Sequence, residues 1–313
     1  MAILVGTASW TDKSLIDSGK FYPPTAQDAE SRLRYYASQF PMVEVDSSYY
    51  AIPLPATAQF WVERTPEHFV FNVKAFRLFT GHQTQPKVFP KDIQQALGLP
   101  LTKNIYYRDV PEEIQRELWS RFFEALEPLR LARKLGAIHF QFAPWITSGG
   151  ADRKHVEYCA QIMEGRLTAV EFRNVSWWTE INRESTLASE RERQLVNVIV
   201  DGPQGFPSSV PAVWEVTSPH LAIVRLHGRN AQTWAKKGLK AASDRFNYDY
   251  RDEELKEIAG QIKQLSHRVP VVQAILNNNY QEQGQRNART LNGFLNRSFK
   301  RCFPFDGLPA RPF

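Results

Sequence analysis

Glu171 and Arg173 stand two residues apart in the run Val170-Glu171-Phe172-Arg173. In a strand that spacing places a carboxylate and a guanidinium on one face, with Val170 and Phe172 on the other. The arrangement recurs along the chain. Glu44 and Asp46 alternate with Val43 and Val45, and Asn72 and Lys74 with Phe71 and Val73. His139 and Gln141 alternate with Ile138, Phe140 and Phe142, and Arg225 and His227 with Val224 and Leu226. Arg173 and Arg225 carry planar, forked donors suited to a carboxylate or phosphate, and Lys74 adds a third positive charge. Beside such charge Glu171, Glu44, Asp46, Asp201 or His227 can serve as general acid or base.

Other groups could shape a binding site around them. Trp10, Tyr49, Tyr50, Trp145, Trp177 and Trp178 each follow a strand-like run, where their rings could stack on a base, a sugar or an aromatic ligand. For any one of these rings, anchoring a loop is the competing account. Gln141, Asn277 and Asn278 supply amide donors and acceptors, although the asparagines could equally cap a strand exit. His227-Gly228-Arg229-Asn230 joins a glycine that permits a sharp exit to a further cation, Arg229. Glu171, Asp201, His227 and Glu44 could also hold a divalent metal. Three cations in the same ring oppose that reading, and the chain has neither an HExxH motif nor clustered histidines.

These residues need elements to position them. Strand-like runs fall at 3–10, 42–46, 69–75, 137–142, 168–173, 196–201, 221–227 and 269–277, with helix-like stretches between nearly all of them. Asp28 is a candidate cap for one helix, Pro55 starts another, and a long one spans about 111–135, where Pro128 should bend or split it and Gly136 should end it. The closing helix is expected over about 281–299. Between about 77 and 111 the periodicity weakens among several prolines, which predicts an irregular insertion after the third strand. Eight alternating units predict a single (β/α)8 TIM-type barrel across residues 1–313. A doubly wound sheet is the competitor, but no GxGxxG or Walker-type loop follows any strand. In a barrel the apolar faces meet the helices, and the polar set points into the lumen towards the carboxyl ends of the strands, where barrel enzymes place their chemistry.

Bulk properties narrow the function classes. With 42% hydrophobic and 23% charged residues the composition is that of an ordinary globular protein, not a disordered one. A formal charge of +6 favours anionic partners weakly, since no dense Lys/Arg block occurs. The two cysteines, Cys159 and Cys302, lie far apart with no CxxC, which excludes a zinc ribbon or disulfide scaffold and suits a reducing cytoplasm. No run of eighteen apolar residues is present, and the first residues enter a strand directly, so neither a membrane span nor a leader is expected.

Taken together, the motifs GTASWTD, FYPP, VEVDSSYYAIP, FVFNVKAF, EFRNVSWW, VRLHGR and the late NNN resemble, in order and spacing, the domain of unknown function 72 family, also called YecE-like. The resemblance covers nearly all of the chain and implies a TIM barrel, similar in fold to the endonuclease IV and xylose isomerase barrels, in a family without an established activity. Two positions depart from the family pattern: Asn174 stands where it usually has histidine, and Ser9 where it usually has glycine. The functional expectation is an enzyme acting at the barrel mouth on an anionic substrate, small molecule or nucleic acid, with phosphoester hydrolysis as the first version. Replacing Glu171 or Arg173 should then abolish turnover and spare thermal stability. A non-catalytic binder of nucleic acid or an anionic ligand, and a metal-dependent isomerase or hydrolase, are the alternatives.

Overall fold

The computed structural model describes residues 1–296 apart from 207, 235, 237, 240 and 241. Eight strands, β1 (Ala2–Ala8), β2 (Met42–Val45), β3 (Val70–Lys74), β4 (Leu135–Gln141), β5 (Thr168–Glu171), β6 (Val196–Asp201), β7 (Leu221–Leu226) and β8 (Val271–Leu276), pair in chain order. Every pairing is parallel, and β8 returns to β1 with Val5 opposite Ala274, closing the barrel. The (β/α)8 architecture expected from the alternation is the one observed. Parallel neighbours need crossover connections, and helices supply nearly all of them.

These are α1 (Lys13–Ser18), α2 (Ala29–Gln39), α3 (Ser47–Tyr50), α4 (Pro55–Glu63), α5 (Lys91–Leu97), α6 (Glu112–Leu131), α7 (Gly150–Ile162), α8 (Glu180–Glu192), α9 (Ala231–Trp234), α10 (Asp252–Ser266) and α11 (Gln283–Asn296). Asp28 does cap α2, accepting from the Ser31 amide while the Ser31 hydroxyl accepts from the Asp28 amide. The short α1 and α3 carry too few residues to show a period, and both escape the sequence pattern. Cys159 is buried on α7, whereas Cys302 and the last residues of the expected closing helix lie outside the described residues.

Two local expectations are corrected. Helix α6 is not split at Pro128 but runs through it as one element. The proline lies in its final turn, so few helical bonds remain to be lost beyond it. Gly136 does not end that helix but lies inside β4. A Cβ there would come within 2.3 Å of Asn72 Oδ1, which instead accepts from the Ala137 amide at 2.9 Å. The register between β3 and β4 shifts at this point, so the glycine marks a close side-chain approach at an irregularity.

The insertion after β3 is an integral part of the barrel's packing. Phe79 stacks on Trp119 of α6 with centroids 3.7 Å apart, and Phe89, Ile93, Ile105 and Val110 are all buried. This density comes from single apolar residues at irregular spacing, which is why periodicity missed it. One feature of the helical layer runs against stability. Glu190 of α8 is buried with both carboxylate oxygens lacking a hydrogen bond, and burial raises its carboxyl well above the ordinary range despite the opposing charge of Arg191. Glu190→Met is therefore expected to stabilise the fold by about 1–3 kcal/mol, the desolvation cost of an unmatched polar group. Urea unfolding at pH 7 measures it, and a loss of stability would show that Glu190 has a favourable role in the fold.

Candidate functional site

The lumen is filled by a ladder of polar side chains, one or two from most strands. At its lower level Asn72 of β3 donates to Gln273 of β8 at 2.6 Å. Above it Arg225 of β7 is wholly buried and bridges two carboxylates, with Nη1 2.7 Å from Glu171 Oε2 and Nη2 2.5 Å from Glu44 Oε1. His139 of β4 completes the level, with Nδ1 2.9 Å from Glu44 and Nε2 3.4 Å from Glu171. Glu171 is the hub. Its Oε1 also accepts from Gln141 at 2.6 Å and from Arg173 at 3.2 Å, and it lies 3.1 Å from His227 Nε2. The strand ends at Glu171, so Arg173 extends from the loop beyond it and reaches back over the barrel top.

Hydrogen bonding fixes the protonation pattern. Asn277 Nδ2 donates to His227 Nδ1 at 2.7 Å, which leaves the ring proton on Nε2, donated to Glu171. Burial, set against the attraction of Glu171, depresses His227 from 6.5 to about 3, so the ring is neutral near neutral pH. Burial opposes the charge on Glu171 and Glu44 as well. Arg225 outweighs it in both, aided by His227 at Glu171 and by His139 at Glu44, and both carboxyls are held below their usual range. A carboxylate saturated by donors and held ionised is a weak base. Glu171 therefore organises charge better than it transfers protons, and its removal would strand Arg225 and Arg173 without their shared counter-ion. The expectation that Glu171 can be replaced at no cost in stability is accordingly revised.

Nearer the mouth the balance turns positive. Lys74 at the end of β3 lies 3.5 Å from Asp46, and 4.9 Å above the Tyr49 ring. Arg77 lies 5.3 Å from the same ring, and Arg173 lies 5.0 Å from the Trp234 ring. Nε of Arg77 and of Arg173 is buried without a hydrogen bond, as is Oδ1 of Asp46. Burial raises the Asp46 carboxyl, Lys74 opposes that, and Glu44 adds to it. A carboxyl displaced upwards, its Oδ1 in ion-pair contact with Lys74 but not hydrogen-bonded, suits proton transfer better than either saturated glutamate.

Several residues expected at the site are placed elsewhere. Asp201 and Arg229 pair with each other, Nη2 to Oδ2 at 2.6 Å, and Tyr250 donates to Asp201 at 2.6 Å while Arg229 also meets Glu254. Asp201 and Arg229 line an open cleft of about 520 Å³ beside the loop after β6, apart from the Glu171 cluster. The four-residue metal set is thus not assembled. Its Asp201 is turned away, and the Arg225 guanidinium stands between Glu44 and Glu171 where a cation would bind. Among the described residues no three His, Cys, Asp or Glu side chains are placed to hold a metal.

Trp10, 7% exposed, packs edge-on against Trp61 and Phe71, and Trp177, 2% exposed, stacks on Phe172 at 3.9 Å. Both are core rings, not rim platforms, because the loops that carry them fold back onto the helix layer. Tyr49 remains at the rim. Asn278 donates to Tyr248 O and Asn287 Oδ1, which ties the loop after β7 to α11. Asn174, at the variant family position, donates to Pro144 O and accepts from the Ser176 amide, a loop-bracing role. Ser9 adopts φ 64°, a left-handed conformation that favours the glycine usual in the family. His139 was visible in the alternation but not singled out as a site residue, whereas Arg77 and His82 lie in the irregular insertion and carry no periodic signal.

The fold and this ladder define a (β/α)8 barrel whose lumen is a closed charge network opening into a cationic mouth. The chain belongs to the DUF72 family. The family model described as protein of unknown function DUF72 matches residues 4–312. The UPF0759 protein YunF of Bacillus subtilis (strain 168) is 31% identical over 279 residues, covering 88% of this chain and 89% of that protein. A crystal structure of a DUF72 family protein from Enterococcus faecalis V583 superposes with a TM-score of 0.76 at 27% identity, covering 96% of this chain and 97% of that one. One from Thermotoga maritima MSB8 gives a TM-score of 0.71 at 25% identity, covering 94% and 99%. Among the described residues no helix is long and apolar enough to cross a membrane.

Proposed function

We propose that the mouth binds a phosphate- or carboxylate-bearing substrate and that the protein is a hydrolase of phosphoesters, with nucleic acid among the substrates to be tested. The observation that carries this reading is the surplus of cationic donors, buried and half-buried, about the mouth. Lys74, Arg77, Arg173 and Arg225 face Glu44, Glu171 and Asp46, the last of which burial drives towards its neutral form. An oxyanion would satisfy the unmatched Nε groups of Arg77 and Arg173 and balance the charge. Asp46, against Lys74, is the group that would take a proton from the attacking water or return it to the leaving oxygen. Glu171, Gln141, His227 and Asn277 hold Arg173 and Arg225 in place.

Chromogenic phosphomonoesters and phosphodiesters and a labelled oligonucleotide test it. Asp46→Asn is expected to lower kcat ~10²–10⁴-fold with little change in thermal stability. Lys74→Met and Arg173→Met are expected chiefly to raise KM. Absence of turnover on every ester class would remove the hydrolase reading. A second reading, a non-catalytic binder of an anionic ligand or nucleic acid, is favoured by the saturation of Glu44 and Glu171, and it requires binding that weakens steeply with salt and forms no product.

A further inference from the structure

His82 lies at the mouth on a loop the sequence pattern did not mark. Its Nδ1 is 2.9 Å from Thr80 Oγ1, and that hydroxyl already donates to Arg77 O at 3.1 Å. With that hydroxyl donating to Arg77 O, Nδ1 donates to Oγ1, and in the neutral ring Nε2 carries the lone pair. The ring is held on edge between Tyr49, with centroids 5.2 Å apart, and Trp145, at 5.7 Å, whose Nε1 is pinned to Gly81 O at 3.0 Å. The charges bearing on it are all positive: Lys74 of β3, Arg77 of the same loop and Arg173 beyond β5. Asp46, the carboxylate beside these cations, is paired with Lys74, and the Arg77 carbonyl partly offsets their effect on the ring.

We propose that His82 completes an oxyanion site with Lys74, Arg77 and Arg173, and that it takes up a proton when a tetrahedral dianion of the phosphate class binds there. In the free protein an imidazolium would add a fourth positive charge beside Lys74, Arg77 and Arg173, whose acidic partners Asp46 and Glu171 are already engaged by Lys74 and Arg173. Burial, then Lys74, Arg77 and Arg173, accordingly depress the ring from 6.5 to about 3. A bound dianion reverses the sign of the local field and can accept a hydrogen bond from a protonated Nε2. Binding and protonation then favour each other by linkage. The inference rests on the anionic-mouth reading above and adds the charge class of the ligand, the residue that senses it and the direction of proton flow.

Sulfate is the probe, because it is a tetrahedral dianion that does not itself titrate near neutrality. Calorimetric titration near pH 6 in buffers of different ionisation heat should show net proton uptake on binding by the wild type. His82→Gln should bind sulfate ~10-fold more weakly, the loss of one charge-assisted bond, and should take up no proton. Wild-type affinity measured from about pH 7.5 down to about pH 5.5 should rise, a readout that needs no variant to fold. Sulfate binding without proton uptake, uptake that persists in His82→Gln, or a flat pH profile overturns the role of His82 and leaves the anionic mouth standing. Failure of the wild type to bind sulfate at all overturns both.

Discussion

Arg225→Leu is expected to destabilise the fold by about 3–5 kcal/mol at pH 7, as breaking a buried ion pair by removing one partner does. Arg225 lies wholly inside the barrel and touches Glu44 and Glu171 at once, so its loss leaves two buried carboxylates facing each other across the lumen. Leucine fills part of the volume and none of the charge. Proton uptake by the stranded carboxyls is the relief open to them, and in the variant their folded-state pKa values should rise above the ordinary 4.5. A group whose pKa is raised on folding regains stability as pH falls, so the gap between variant and wild type should narrow towards pH 5. Urea unfolding at pH 7 and pH 5 checks both parts. A variant within about 1 kcal/mol of wild type at pH 7 would mean that Arg225 is not the principal counter-ion of the pair.

The second large effect concerns acid. His227 is depressed to about 3 in the folded barrel, against 6.5 for an ordinary histidine. Between those values the unfolded chain binds a proton that the native ring refuses, so stability is full above 6.5 and falls as pH drops towards 3. Glu44 and Glu171, also depressed, give a contribution present above 4.5 and lost as pH falls below it. Asp46 and Glu190, raised on folding, act in the opposite sense over the acid range. Since a single group changes stability by at most ~1.4 kcal/mol per pH unit, His227→Gln should flatten the stability profile between pH 6 and pH 4 by up to that slope. The residual slope in the variant would belong to His82 and His155 and, below pH 4.5, to the two glutamates as well. Equal slopes in wild type and variant would show that His227 binds its proton in the native state.

What the sequence determined by itself was the barrel and the polar face of five of its strands. Alternation at period two depends on local geometry, so Glu44, His139, Glu171, Arg225 and His227 could be assigned to the lumen as soon as eight strands with intervening helices were read. Their partners could not be, because a carboxylate's neighbours across a closed barrel are set by register and strand order. Tertiary structure decided that Glu171 is a saturated hub, that Asp201 turns to Arg229 and Tyr250, and that Arg225 occupies the place a metal would need. It also decided the fate of the aromatic rings. Trp10 and Trp177 follow strands as Tyr49 does, yet their loops fold them into the core. Arg77 and His82 join the mouth only because the insertion packs Phe79 against Trp119 and so holds that loop over the strand ends. That long-range contact leaves no period in the sequence, and it is what brings the fourth cation and the imidazole to the site.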